Sequence, residues 1–225
     1  MAHAKTIRDP KPEVARIESL ASRIKEGDIL LPKFQRDFIW ERQQVLDLFD
    51  SISKNYPIGS VLLWLSKNKL SSENSIAGLE IAARAPEYPV NYLLDGQQRL
   101  SSICGALYWD AADKNSLWNI VYDLRTESFA HLATTEDPPL HQIRLNKLAD
   151  ATAFFRQVAG LDNLTSADKD VLKERAEGLF NRFKEYHVAA RIKSTIVNGV
   201  PVLFILSNIG ATLSIGMSLS VTVAT

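Results

Sequence analysis

The chain of 225 residues has almost no cysteine, a single Cys104. One thiol excludes an intramolecular disulfide and a cysteine zinc centre, and its place on an apolar helical face makes it a small core residue. Charge of neither sign prevails, with 26 Lys plus Arg against 26 Asp plus Glu. The whole chain therefore exerts no electrostatic grip on nucleic acid or on a membrane surface, and either partner would need a local patch. Histidine is sparse: His3, His131, His141 and His187 are scattered, not clustered as a metal centre requires. No compact cluster of carboxylates is visible, which argues against a metal-dependent nuclease. The opening Met-Ala-His-Ala-Lys lacks the apolar core of a signal peptide, so a cytoplasmic location is expected. Residues 200–217 have the apolar length of a membrane span, but Ser207, Asn208, Gly210, Thr212 and Ser214 dilute it, and no membrane partner is expected.

What remains is the composition of a soluble globular protein, 46% hydrophobic and 23% charged. Its length buries one substantial core with room for a helical appendage. No internal repeat is present.

The chain is organised around residues 90–108. An apolar run of strand length, residues 90–94, is followed at once by Asp95-Gly96-Gln97-Gln98-Arg99. Then Leu100, Ile103, Cys104 and Leu107 fall at i, i+3, i+4 and i+7, one face of a helix. The pattern predicts a buried strand, a tight turn at Gly96 and an amphipathic helix. The first N–H groups of a helix have no partner within it, and its dipole favours an anion there. Two readings stand on spacing alone. In one, Asp95 caps the helix, Gly96 makes the turn and Arg99 is a surface charge. In the other, Asp95 holds a metal, Gly96 lets the backbone approach a ligand, and Arg99 forks onto phosphate oxygens.

Residues 1–11 read as a loose arm. From Glu13, the spacing of Val14, Ile17, Leu20, Ala21 and Ile24 predicts a helix stopped by Gly27. A short strand over 28–31 is closed by Pro32. Residues 33–40 read as an ordered, aromatic-rich loop carrying Gln35, Arg36 and Asp37. That loop either carries function on a rigid scaffold or is pinned to the core by Phe34, Phe38 and Trp40, with Arg36 paired to a carboxylate. Residues 41–55 form a helix through Val45, Leu48, Phe49 and Ile52. Residues 60–65 form a strand covered on both faces. Residues 66–88 are a loop with a short element around 77–83. Further strands are expected over 118–123, 128–132 and 142–145, then helices over 148–158 and from a cap at 165–168 to about Ala190. No charge occurs in the 32 residues after Lys193. A buried strand is expected over 200–206.

Three segments, in order, carry a resemblance. They are Leu31-Pro32-Lys33-Phe34-Gln35-Arg36-Asp37-Phe38-Ile39-Trp40; Ser51-Ile52 with Tyr56-Pro57-Ile58-Gly59-Ser60; and Leu94-Asp95-Gly96-Gln97-Gln98-Arg99-Leu100. Together they resemble the DGQQR-motif N-terminal domain of GmrSD-type, modification-dependent restriction endonucleases, over about residues 12–206. The resemblance implies an α/β (α+β) fold, a ParB/sulfiredoxin-like mixed sheet flanked by helices with a helical C-terminal extension. It implies a DGQQR nucleotide-binding domain over 12–146, a helical extension over 147–208 and an atypical uncharged tail over 209–225, truncated or out of frame.

The resemblance also implies a function. Such domains bind and hydrolyse a nucleoside triphosphate, GTP or another, with Mg²⁺, and so gate DNA cleavage by an HNH-type nuclease domain or subunit in defence against foreign, often modified, DNA. Carried over, Asp95, Gln97, Gln98 and Arg99 are the catalytic set, Gln35, Arg36 and Gly96 bind the nucleotide, and Asp95 holds the metal. The physics agrees. Triphosphate hydrolysis needs cations and N–H donors on developing phosphate charge, and a group that orients water. This chain departs from the pattern after Asn208, where neither the family's Phe-x-Arg-x-Asn segment nor an HNH region follows. The expectation is a regulatory NTPase domain of a restriction system without its own nuclease, with self-association left open. The alternative is a non-catalytic DNA- or partner-binding ParB-like module.

Overall fold

A computed structural model of the chain describes residues 11–82, 89–164 and 168–193. The path begins at a sheet edge with β1, Lys11–Arg16, followed by α1, Ile17–Lys25. The helical spacing from Glu13 is therefore misleading over its first turn. Residues 11–16 pair antiparallel with a strand near the far end of the chain, and Val14 is left 70% exposed. A pairing partner distant in sequence overrides a local period. Ile17, Leu20, Ala21 and Ile24 are buried as the spacing requires, and Gly27, at φ +80°, ends the helix in the left-handed region.

Next comes β2, Ile29–Leu30, and then the 33–40 loop, which contains no helix or strand. Helix α2, Arg42–Ser53, opens with a capping box between Glu41 and Gln44 and buries Val45, Leu48, Phe49 and Ile52. Strand β3 is Ser60–Ser66. The short element expected near 77–83 is a hairpin, β4 Ser75–Ile76 and β5 Leu79–Glu80, turned through Ala77 and Gly78, both at positive φ. Then follow β6, Val90–Asp95, and α3, Gln97–Tyr108. Strands β7, Ile120–Asp123, β8, Ser128–His131, and β9, Gln142–Arg144, come next.

The helical stretch after β9 is broken. A 3₁₀ turn covers Leu145–Ala149, and α4, Ala151–Gly160, starts afresh because the Asp150 carboxylate accepts from the N–H groups of Thr152 and Ala153. Helix α5 is Lys169–Glu185, and β10 is His187–Lys193. The sequence expectation carried the α5 helix to about Ala190. Instead the burial period changes from helical to two at Tyr186: Tyr186, Val188 and Ala190 are buried while His187 and Ala189 are exposed. The loose arm expected over 1–11 ends instead with Lys11 in β1; the rest of it, cap residues 165–167, the strand over 200–206 and the uncharged tail lie outside the described residues.

The central sheet is mixed, in the order β1-β10-β3-β6-β2, with β10 parallel to β3 and β3 antiparallel to β6. This is the α/β architecture expected from the sequence. A second, antiparallel sheet has the order β8-β7-β9. Alternation along β3 and β6 sends Val61, Leu63 and Leu93 into the main core and Trp64, Val90 and Tyr92 to the opposite face. Both faces are thus apolar. The elements after residue 147, expected as an extension, feed the same core: Phe154, Leu172, Leu179 and Phe183 are buried in it with Phe49. Cys104 is fully buried there, and burial pushes its thiol up to about 12. Among the described residues, no helix is long and apolar enough to cross a membrane.

Candidate functional site

The β6–α3 junction hands a strand to a helix through one residue. Gly96 lies at φ +96°, ψ 11°, and a Cβ there would meet Val61 Cγ2 at 3.2 Å. Both the conformation and the space demand glycine. Gly96 is itself the N-cap, so no cap side chain bonds the N–H groups of the first turn. Asp95 is therefore not the cap that one reading of the sequence made it. Its carboxylate is 61% exposed and stands 3.6 Å from Arg99 Nη2, too long for a tight fork.

Arg99 points back along the helix toward β3. Its Nη1 donates to the Ile58 carbonyl at 2.6 Å, and its side chain is 19% exposed. One guanidinium thus joins the turn before β3 to the first turn of α3, with Asp95 on its other flank. Gly59, at φ +88°, leaves the space that the guanidinium fills.

Two glutamines tie the 33–40 loop to this junction. Gln35 Nε2 donates to the Leu93 carbonyl of β6 at 2.6 Å. Gln98 Oε1 accepts from the N–H groups of Ile39 at 2.9 Å and Trp40 at 3.3 Å, while its Nε2 donates to the Asp37 carbonyl at 3.0 Å. Below them Phe38 packs edge-on against Trp118 with ring centroids 5.2 Å apart. Trp118 in turn lies on Gly105 of α3, where a Cβ would stand 2.4 Å from its ring. So Phe38 and Trp40 do pin the loop, as the structural alternative required. Phe34 does not, at 56% exposed.

Arg36 is exposed and sits between the two tethered residues Gln35 and Asp37. Among the described residues it forms no ion pair, contrary to the carboxylate pairing that the alternative reading gave it. Gln97, at the first position of α3 and partly exposed, has no hydrogen-bond partner among them either. Gln35, Arg36, Asp95, Gly96, Gln97, Gln98 and Arg99 are therefore gathered at one end of β6, as linked segments. Their chemical freedom differs: Gln35, Gln98 and Arg99 are engaged in tethers, whereas Arg36 and Asp95 are exposed and Gln97 is half-buried.

Arg36, Gln97 and Asp95 offer a cation, an amide and a carboxylate in the segments joined at α3, whose N-cap has no side chain, and these residue types suit a phosphorylated ligand. Among the described residues no group of three or more His, Cys, Asp or Glu could hold a metal ion. The accessible lone pairs of Asp95 fit a Mg²⁺ that takes its other ligands from phosphate and water, not from a protein cage. A separate cleft of about 230 Å³, lined by Asp137, Leu140, Lys147, Arg156 and Gln157, shares no residue with these segments.

Sequence reasoning missed the Ile58 carbonyl and the backbone of 37–40 as the acceptors and donors of the tethers. The one available signal was the pair of adjacent glutamines, which cannot both face the same way on a helix.

The sequence matches the family described as "GmrSD restriction endonuclease, N-terminal domain" over residues 17–213. It is also 35% identical over 97 residues to "Uncharacterized protein MJ0686" of Methanocaldococcus jannaschii, a match covering 40% of this chain and 16% of that protein.

Proposed function

Because this chain belongs to the GmrSD restriction endonuclease N-terminal domain family, we propose that it binds a nucleoside triphosphate at the β6–α3 junction and hydrolyses it. The hydrolysis regulates a restriction system whose DNA cleavage resides in an HNH-type nuclease domain or subunit. The observation that supports this reading is the tethering of the Gln35–Trp40 loop to Leu93 and Gln98, and on it we assign Arg36, between Gln35 and Asp37, to the nucleotide.

The chemistry follows from Arg36, Gln97 and Asp95. Water attacks the terminal phosphorus, the phosphoanhydride bond breaks, and phosphate and nucleoside diphosphate leave. Charge builds on the phosphate oxygens and the bridging oxygen, and catalysis is mainly its stabilisation and the placing of reactants. Arg36 and the first-turn N–H groups of α3 meet that charge. Gln97, whose amide is unspent, orients the water. Asp95 would hold the Mg²⁺ that accompanies the nucleotide, and the ion would supply neutralisation of phosphate charge. Arg99 keeps the junction in shape through Ile58 and lends its positive field.

Phosphate release tests the reading. With Mg²⁺ and saturating nucleoside triphosphate, wild type should turn over, and Arg36→Ala should lose about a hundredfold or more, the scale of a single transition-state donor. Equal release from wild type and from a doubly substituted Arg36→Ala, Gln97→Ala protein would refute it.

A further inference from the structure

The two adjacent glutamines of the junction have different jobs, and the hydrogen bonds divide them. Gln98 bonds the loop through both ends of its amide. Two N–H donors, from Ile39 and Trp40, converge on its oxygen, and its nitrogen faces the Asp37 carbonyl. Two donors fix which end of the amide is oxygen, so the orientation follows from the network. No other hydrogen bond among the described residues holds the backbone of 37–40 to the junction. The preceding turn has its own anchors, from Gln35 N–H to the Pro32 carbonyl and from its side chain to Leu93.

We infer that Gln98 is a positioning residue: it clasps residues 37–40 so that Arg36 is held at the β6–α3 junction, leaving Gln97 as the amide that touches substrate. This rests on the nucleotide reading above for the role of Gln97, but the clasp itself is a property of the unliganded chain. Its oxygen, already accepting two N–H groups, cannot also accept from the attacking water without releasing the loop. Releasing it frees the one cation that lies between the two tethers. Loss of the clasp should therefore act through binding: Arg36 must then be ordered at the expense of nucleotide affinity. Loss of Gln97 should act through the rate at saturation, because its group is needed only as charge develops.

The test uses the full chain and two readouts. Amide exchange of Ile39 and Trp40 in the absence of nucleotide should quicken about tenfold or more in Gln98→Ala and remain at the wild-type rate in Gln97→Ala. With Mg²⁺ and nucleoside triphosphate, Gln98→Ala should raise KM about tenfold with kcat within a few-fold of wild type, and Gln97→Ala should lower kcat about a hundredfold with KM little changed. Gln98→Glu keeps the acceptor for Ile39 and Trp40 but loses the donor to Asp37, so it should recover part of the protection. That recovery separates a lost clasp from a misfolded variant.

Unchanged exchange in Gln98→Ala overturns the clasp, whatever the nucleotide data show. Lowered kcat at unchanged KM in Gln98→Ala overturns the division of labour and makes Gln98 the catalytic amide. A wild-type protein that neither binds nor hydrolyses nucleotide overturns the nucleotide reading, and the assignment of Gln97 with it, while the exchange rates still decide the clasp.

Discussion

Gly59 and Arg99 occupy complementary space: a Cβ on Gly59 would lie 2.4 Å from Arg99 Nη1, the nitrogen that donates to the Ile58 carbonyl. The glycine is also at φ +88°, where an L side chain is strained. Gly59→Ala should therefore cost about 1–3 kcal/mol from backbone strain alone, and the displaced guanidinium should weaken nucleotide binding as well. Denaturant unfolding together with a nucleotide titration checks this. A variant with wild-type midpoint and affinity would mean that the turn before β3 is plastic.

Arg99→Lys tests whether charge or shape matters at this position. A lysine keeps the charge but lacks the planar fork that reaches Ile58 while standing beside Asp95. The expected result is a loss of stability of about 1–2 kcal/mol, from weakening one charged hydrogen bond, with nucleotide affinity falling as well. Asp95→Asn, at an exposed carboxylate, should leave the unfolding midpoint nearly unchanged while lowering the Mg²⁺ dependence of nucleotide binding.

The junction was legible because its signals are local. The strand run, Gly96 and the Leu100, Ile103, Cys104, Leu107 face all lie within one short window, and each has a single physical meaning. The α2 helix was legible for the same reason, with Glu41 and Gln44 closing its start. What could not be read is what depends on distant partners. Strand β1 hides inside a helical period because its partner, β10, lies at the other end of the described chain. The strand character of β10 shows only as the alternation after Tyr186, next to a long helix that masks it. The resemblance put Gln98 and Arg99 in the expected catalytic set, but the sequence could not say that their hydrogen bonds span about forty to sixty residues.

Another buried hub went unnoticed in the sequence for want of a partner. Asn119, fully buried, shares the two N–H groups of its amide among the Lys114, Leu132 and Thr134 carbonyls and accepts from Arg144. Arg144, 3% exposed, also donates to the Thr134 and Glu136 carbonyls and lies over Trp109. Asn119 between Trp118 and Ile120, and Arg144 between Ile143 and Leu145, were the available clues. Arg144→Met should strand several carbonyls and destabilise the fold by about 3 kcal/mol, and Asn119→Ala by a similar amount. Urea midpoints measure both, and the folded fraction should keep its nucleotide affinity because neither residue is at the junction.

His131 gives the fold a pH dependence. Its Nε2 lies 3.2 Å from the Arg42 carbonyl, and its buried Nδ1 has no hydrogen-bond partner among the described residues. Burial holds its pKa below the ordinary 6.5, and the Arg42 guanidinium adds to this, against the opposing hydrogen bond to the Arg42 carbonyl. As pH falls below 6.5, the unfolded chain takes the proton first. Stability is thus full above that value and declines through the window down to the folded pKa. Unfolding free energies from pH 8 to 5 should show this slope, and His131→Gln, which keeps a donor for the Arg42 carbonyl, should flatten it.

Direct titration of the full chain with GTP, ATP, CTP and UTP, each with Mg²⁺, bears most closely on the whole account. Saturable binding of at least one of them, weakened about tenfold or more by Arg36→Ala, is the predicted outcome, an interaction of about 1.4 kcal/mol. Binding of none of the four, or binding that Arg36→Ala and Asp95→Ala leave untouched, would contradict it.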